Sequence, residues 1–78
     1  MERLKQLGAY VERRRDYLKM TQKDLCNIAG ISDATLRKIE QGKSGVAIQN
    51  WMMVADILGL ELKLTVKRMS DETRKSDE

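Results

Sequence analysis

Two short helical segments joined by one glycine constrain this chain more than any other feature of its sequence. They occupy residues 21–29 and 32–41 of the stretch TQKDLCNIAGISDATLRKIEQG, with Gly30 between them. Helices this short are not stable alone in water. The chain must therefore pack both segments against other helices, and its fold must be organised around the pair.

End signals define the two segments. Thr21 and Asp24 have the T-x-x-D spacing of a capping box, and Ser32 is placed to cap the second segment. Glycine supplies the left-handed conformation that commonly ends a helix, so we expect the segments to end at Gly30 and Gly42. These signals predict two helices joined by a tight turn, which is a helix-turn-helix.

Two other segments carry the apolar surface that this pair needs. A first helix is expected to end near Lys19, and a fourth to span about residues 48–58. Met53, Val54 and Ile57 give the fourth helix more apolar surface than one small core needs. The residues predicted to face the core are Leu4, Leu7, Val11, Leu18, Leu25, Cys26, Ala29, Leu36, Ile39, Ile48, Trp51, Met52, Ala55 and Leu58.

The hydrophobic period changes to two after the fourth helix. In LELKLTVK the apolar residues alternate with polar ones, which predicts a half-buried strand over about residues 60–67. Because the chain has no other convincing strand, we expect this one to pair antiparallel with the same strand of a second copy. The fold class is thus mainly α, with four helices and one C-terminal β-strand that pairs across a dimer. The predicted dimer interface is Met53, Val54, Ile57, Leu60, Leu62, Leu64 and Val66.

Charge is unevenly distributed along the chain. The net charge of the 78 residues is +3, but residues 69–78 carry four acidic and two basic side chains, which leaves +5 for residues 1–68. We predict one domain over residues 1–68 followed by a flexible acidic tail over residues 69–78. A basic body suits an anionic partner such as nucleic acid.

Little in the sequence can support catalysis. Histidine is absent, the one cysteine is predicted to be a buried filler, and neither paired carboxylates nor a glycine-rich phosphate loop occurs. No cluster has metal-ligand spacing, so we expect no enzyme activity, no cofactor and no metal. No apolar run is long enough to cross a bilayer, and the N-terminus lacks the apolar core of a signal peptide. We therefore expect a soluble, cytoplasmic protein without a membrane partner.

A charge lies on the apolar stripe of the first helix. Arg15 follows Val11 by four residues, on the side that should face the core. Glu40 lies on the same side of the third helix as Leu36 and Ile39, so it can face the first helix. We predict an ion pair between Arg15 and Glu40, at least partly buried, that fixes the third helix against the first.

These motifs resemble the phage-repressor (Cro/xenobiotic-response-element) class of helix-turn-helix proteins. The resemblance covers about residues 4–59 and implies a DNA-binding repressor with the same Arg15–Glu40 pair. A strand replaces the usual fifth helix of the class, and four helices followed by one strand are similar to the HipB type of antitoxin. Such an antitoxin represses its own operon and restrains a HipA-type kinase toxin. The matching motifs are Leu7-Gly8, Val11, Arg15, TQKDLC, AGIS, TLRKIEQGK and a fourth helix that ends in ADILG.

The resemblance implies that the third helix enters the major groove of DNA. There Lys38 can donate to guanine, Ala34 can touch a thymine methyl and Asp33 can accept from cytosine. Alternatively, the negative charge of Asp33 stabilises the positive, N-terminal end of the helix dipole, and Arg37 and Lys38 form a solvated charged face. The predicted base contacts are Asp33, Ala34, Arg37 and Lys38. The predicted phosphate contacts are Thr21, Gln22, Thr35, Lys43 and Ser44.

The sequence favours a dimeric, sequence-specific DNA-binding repressor that reads a palindromic operator. The resemblance narrows this to the autoregulating antitoxin of a HipBA-like toxin-antitoxin pair. One alternative is a stand-alone repressor without a toxin. Another, from a different class, is a protein-interaction module that has kept the fold and lost DNA binding.

Overall fold

Four helices make up the computed structural model of the protein, which describes residues 2–63. They are α1 (Glu2–Tyr17), α2 (Gln22–Ala29), α3 (Asp33–Gln41) and α4 (Ile48–Ile57). Helix α1 packs along α3, and α2 packs against both α3 and α4. The prediction of a mainly α, four-helix domain is confirmed. No helix among residues 2–63 has the length and apolarity that crossing a membrane requires.

One apolar cluster lies between the helices and holds α2 and α3 in place. All five core residues predicted for these two short helices are buried, and Leu25, Leu36 and Ile39 are wholly inaccessible to solvent. Burial of this stripe supplies the stability that helices of eight and nine residues lack on their own. The cluster consists of Val11, Leu25, Cys26, Ala29, Leu36, Ile39, Trp51, Val54 and Leu58.

The predicted caps are present at both short helices. Thr21 Oγ1 accepts from the backbone N–H of Asp24, and the Asp24 carboxylate accepts from the backbone N–H of Thr21, each at 3.0 Å. Ser32 Oγ accepts from the Thr35 N–H at 3.1 Å. Gly30 has φ 71°, a left-handed conformation that glycine adopts without backbone strain and that turns the chain between the helices. Local sequence signals therefore determine where α2 ends and α3 begins.

The core face of α4 differs from the predicted one. Val54, predicted to contact a second copy, is wholly buried within one chain, whereas Ile48 and Met52, predicted to be core, are exposed. These three predictions are wrong. Apolar residues occur all around α4, so their spacing alone does not select the face that packs inward. The residues that do pack inward are Trp51, Val54, Ala55 and Leu58.

The inner face of α1 is also shifted. Leu7 and Leu18, predicted to be core, are exposed, and Gly8 is buried instead. A Cβ atom at Gly8 would lie 2.6 Å from the carbonyl oxygen of Glu40 and would also collide with the Ile39 carbonyl oxygen. Glycine at this position lets the backbones of α1 and α3 approach closely.

The predicted C-terminal strand falls largely outside the described residues. Residues 60–63 have no regular secondary structure, and Leu64, Val66 and the tail over residues 69–78 are not among residues 2–63. The N–H of Leu60 donates to the carbonyl of Ala55 at 2.8 Å, and Leu60 and Leu62 pack, partly buried, against the core. Pairing with a second copy stays a prediction.

We expect Gly8→Ala to destabilise the protein by about 1–3 kcal/mol, because the new methyl group overlaps the α3 backbone. In a helix without such a neighbour the same change stabilises by about 0.5–1 kcal/mol, so the sign is diagnostic. Urea denaturation measures the difference, with Gln6→Ala on the exposed side of α1 as the control. A stabilised Gly8→Ala variant would contradict the close approach of α1 and α3.

The capping box predicts a pH dependence. The backbone N–H of Thr21 donates to Asp24 and holds the pKa of its carboxyl below the ordinary value. A depressed folded-state pKa contributes stability above the unfolded value of about 3.9, and that contribution is lost as the pH falls through the folded value. We expect Asp24→Asn to flatten the stability profile below about pH 4. Asp56→Asn, at an exposed carboxylate of α4, is the control, and identical profiles for Asp24→Asn and wild type would contradict the prediction.

Candidate nucleic-acid interface

The outer face of α3 is a continuous polar surface. Leu36, Ile39 and Glu40 point into the protein, and the side chains on the other face are exposed. Since successive helix residues are separated by about 100°, the exposed residues fall within one sector. The structure thus brings the four predicted base-contact residues together on a helix face that a major groove can admit. They are Asp33, Ala34, Arg37 and Lys38.

The five predicted phosphate contacts lie at the ends of α2 and α3 in different settings. Lys43 and Ser44 are exposed immediately after α3. Thr21 caps α2, and the hydroxyl of Thr35 lies 2.9 Å from that of Ser32 at the start of α3. The two threonine hydroxyls are therefore part of the helix caps, and the lysine and serine side chains point into solvent.

Arg15 and Glu40 form a bidentate pair beneath α3. Arg15 Nε lies 2.7 Å from Glu40 Oε2, and Nη2 donates to Glu40 Oε1 at 3.2 Å. Only 7% of each residue is exposed. Arg15 Nη1 also donates to the carbonyl of Met20 at 2.8 Å and lies 3.2 Å from the exposed carboxylate of Asp16. The hydrogen bond to Glu40 raises the pKa of Arg15 against the opposing effect of burial, so the guanidinium stays charged.

Gln22 takes part in this network, which the sequence prediction missed. Its Nε2 donates to Glu40 Oε1 at 2.9 Å, so the first residue of α2 is linked to the pair between α1 and α3. Gln22 was predicted to contact a phosphate. An amide nitrogen carries two hydrogens, so the second can still donate outward. The structure therefore gives Gln22 an internal role that is compatible with the predicted one.

Two further side chains join helices that the sequence did not connect. Arg14 Nε donates to the carbonyl of Leu58 at 2.8 Å, just after α4, where a cation complements the helix dipole. Cys26 Sγ lies 3.6 Å from the carbonyl of Ser32, and burial raises the pKa of its thiol. A neutral, buried thiol is a packing residue, as expected for Cys26.

Within residues 2–63, no group of three or more metal-ligating side chains is placed to hold a metal ion.

Comparison with known proteins gives one sequence match and one structural match of note. A family model described as "Helix-turn-helix" matches residues 11–73, which is most of the chain. No curated protein matches the sequence. A solved structure named "MDT Protein" is similar with a TM-score of 0.71 and 22% identity, over 82% of this chain and 90% of that chain. That likeness shows a shared fold.

We expect Glu40→Ala to lower the free energy of unfolding by about 3–5 kcal/mol, because it leaves Arg15 buried without its partner. Asp16→Ala is the matched control, since it removes an exposed partner of the same guanidinium and should cost only about 0–1 kcal/mol. Thermal and urea denaturation measure both variants. If the two variants were equally stable, burial would not determine how much the Arg15–Glu40 pair contributes to the free energy of unfolding.

Proposed function

Because this chain belongs to the Cro/C1-type helix-turn-helix family, whose members are DNA-binding transcription regulators, we propose that it is a sequence-specific repressor. The observation that carries the proposal is the exposed outer face of α3, whose inner face is fixed to α1 by the buried Arg15–Glu40 pair. A reading helix must hold its side chains at defined positions relative to the base edges, and this pair fixes the rotation of α3.

In the proposed complex α3 lies in the major groove. Lys38 donates to guanine O6 or N7, Ala34 contacts a thymine methyl and Asp33 accepts from cytosine N4. Arg37, one turn after Asp33, is the fourth base contact. The side chains of Lys43 and Ser44 lie beyond the end of α3, where they contact the phosphate backbone, as do Gln22, Thr21 and Thr35 near the helix N-termini.

A homodimer fits this role. Two copies related by a two-fold axis present two α3 helices about one DNA turn apart, ~34–36 Å, and so read a palindromic operator. The alternating apolar sequence of residues 60–67 favours the same segment of a second copy as the contact. We place this dimer in the cytoplasm, without a cofactor.

The narrower role we propose is that of an autoregulating antitoxin paired with a HipA-type kinase toxin. The resemblance to HipB-type antitoxins supports it, together with the acidic sequence of residues 69–78, which suits a basic surface on a partner. A kinase-like gene beside this one would favour the antitoxin, and its absence the stand-alone repressor.

Operator binding tests the proposed function. After selection of a binding site from random duplexes, Lys38→Ala should lose ~1–3 kcal/mol of discrimination at one base pair, and Lys43→Ala should weaken binding to all duplexes about equally. Lys43→Ala should also lower the salt slope of binding by about 1. If Lys38→Ala weakened binding to matched and mismatched duplexes equally, Lys38 would not be a base contact. A wild-type protein that selects no duplex at low salt would favour the protein-interaction module.

A further inference from the structure

An open groove lies between α1 and α4, on residues that belong to neither α2 nor α3. Its main part encloses about 630 Å³. Leu7 and Leu62 line this part and also line a smaller depression of about 260 Å³, so the two adjoin. We call them together the α1–α4 groove. Its main part has the size of a small-molecule site, because such sites enclose about 300–1,000 Å³.

The wall of the main part is apolar. Leu7, Ile48, Met52 and Leu62 line it, and the first three are 40%, 66% and 51% exposed. Single exposed apolar residues are common on protein surfaces, but apolar residues that adjoin one another in a concave site mark a place where a ligand or a partner binds. Ile48 and Met52, which were expected in the core, therefore belong to a surface that an apolar group can cover.

This side of α4 is not the side that was predicted to contact a second copy. Successive helix residues are separated by about 100°, so Met53 and Ile57 lie about 100–180° around α4 from Ile48 and Met52. Neither Met53 nor Ile57 lines the groove. A second copy held through Met53 and Ile57 would therefore leave Ile48 and Met52 uncovered.

Two cations and an amide supply the polar groups of the groove. The exposed side chains of Arg3, Gln6 and Lys63 line its main part, and no carboxylate among residues 2–63 lines that part. Glu61 lines the smaller depression only. Guanidinium and ammonium groups bind carboxylates through charge-assisted hydrogen bonds, and an amide N–H can donate one more. The groove thus complements a molecule with one apolar end and one anionic end.

The length of α1 beside the groove indicates how long the apolar end can be. Arg3 and Tyr10 are seven residues apart, which is about 10 Å along a helix axis, and Leu7 lies between them. Tyr10 and Trp51 line the smaller depression. A hydrocarbon chain whose head group lies at Arg3 and Lys63 can therefore extend past Leu7 and end beside Trp51.

We propose that the α1–α4 groove binds an unbranched, medium-chain carboxylate such as decanoate. The head group pairs with Arg3 and Lys63, and the chain covers Leu7, Ile48 and Met52. This site goes beyond the proposed function, because α2 and α3 contribute no residue to it. Its occupancy can be measured without DNA, so a protein that binds no duplex can still confirm it.

The first experiment titrates the full-length protein with decanoate below its micelle concentration. Trp51 is the one tryptophan of the chain and lines the groove, so its fluorescence reports occupancy. We expect a saturable change in emission. Octanoate should bind about 15-fold more weakly, because each buried methylene strengthens binding about fourfold. An emission that decanoate does not change, or equal affinities for the two carboxylates, would overturn the proposal and leave the groove to a protein partner or to a second copy.

The second experiment tests the head group. Arg3→Gln combined with Lys63→Gln should weaken decanoate binding about fivefold, because two exposed ion pairs are lost, and should leave binding of the uncharged decanol unchanged. Lys23→Gln, at an exposed lysine of α2 outside the groove, is the matched control and should bind both compounds as wild type does. If the double variant bound decanoate as tightly as wild type, the two cations would not recognise the head group and the proposed class of ligand would be wrong.

The third experiment tests the apolar wall. Met52→Glu places a negative charge in the groove and should abolish decanoate binding. Ile28→Glu is the matched control, because Ile28 is 62% exposed on α2, outside the groove, and this variant should bind as wild type does. Circular dichroism checks that both variants fold. Decanoate should also raise the melting temperature of the wild-type protein, because a ligand that binds only the folded state stabilises it. Undiminished binding by Met52→Glu, or a lowered melting temperature, would overturn the proposal.

Discussion

The buried contact between Arg15 and Glu40 is the interaction on which the arrangement of the helices depends. It joins α1 to α3, and Gln22 extends it to α2, so one carboxylate receives hydrogen bonds from two other helices. A buried ion pair adds little net stability compared with apolar residues of the same volume. Its directional geometry, however, allows few rotations of α3 relative to α1. The pair therefore contributes to the precision of the exposed face more than to the overall free energy of folding.

Close packing complements this polar contact. Gly8 brings the α1 backbone against the carbonyls of residues 39 and 40, next to the carboxylate that Arg15 binds. Gly8, which has no side chain, and Arg15, which has a long charged one, therefore both bring α1 into contact with α3 near Glu40. On α3 only Leu36, Ile39 and Glu40 are buried, so its other positions can carry polar groups.

The accuracy of the sequence predictions follows the range of the interactions involved. The caps at Thr21 and Ser32 and the turn at Gly30 depend on atoms a few residues apart, so the sequence predicts them correctly. The exposed face of α3 follows from the same periodicity. The core face of α4 depends on which neighbours it meets, and apolar residues on every side, Ile48 and Val54 among them, leave that choice to tertiary packing. The role of Gln22 depends on a carboxylate eighteen residues away that no local pattern relates to it.

Adjacent residues of α1 contact two different parts of the molecule. Arg15 binds Glu40 of α3, and Arg14 donates to the carbonyl of Leu58, where the chain leaves α4. A helix of 16 residues is a stiff rod about 24 Å long. In the proposed homodimer, this rod would transmit the position of the two-fold axis to each α3. The proposed repressor would then select operators by the distance between half-sites as well as by their bases. An operator with one extra base pair at its centre would be a poor ligand even with both half-sites intact.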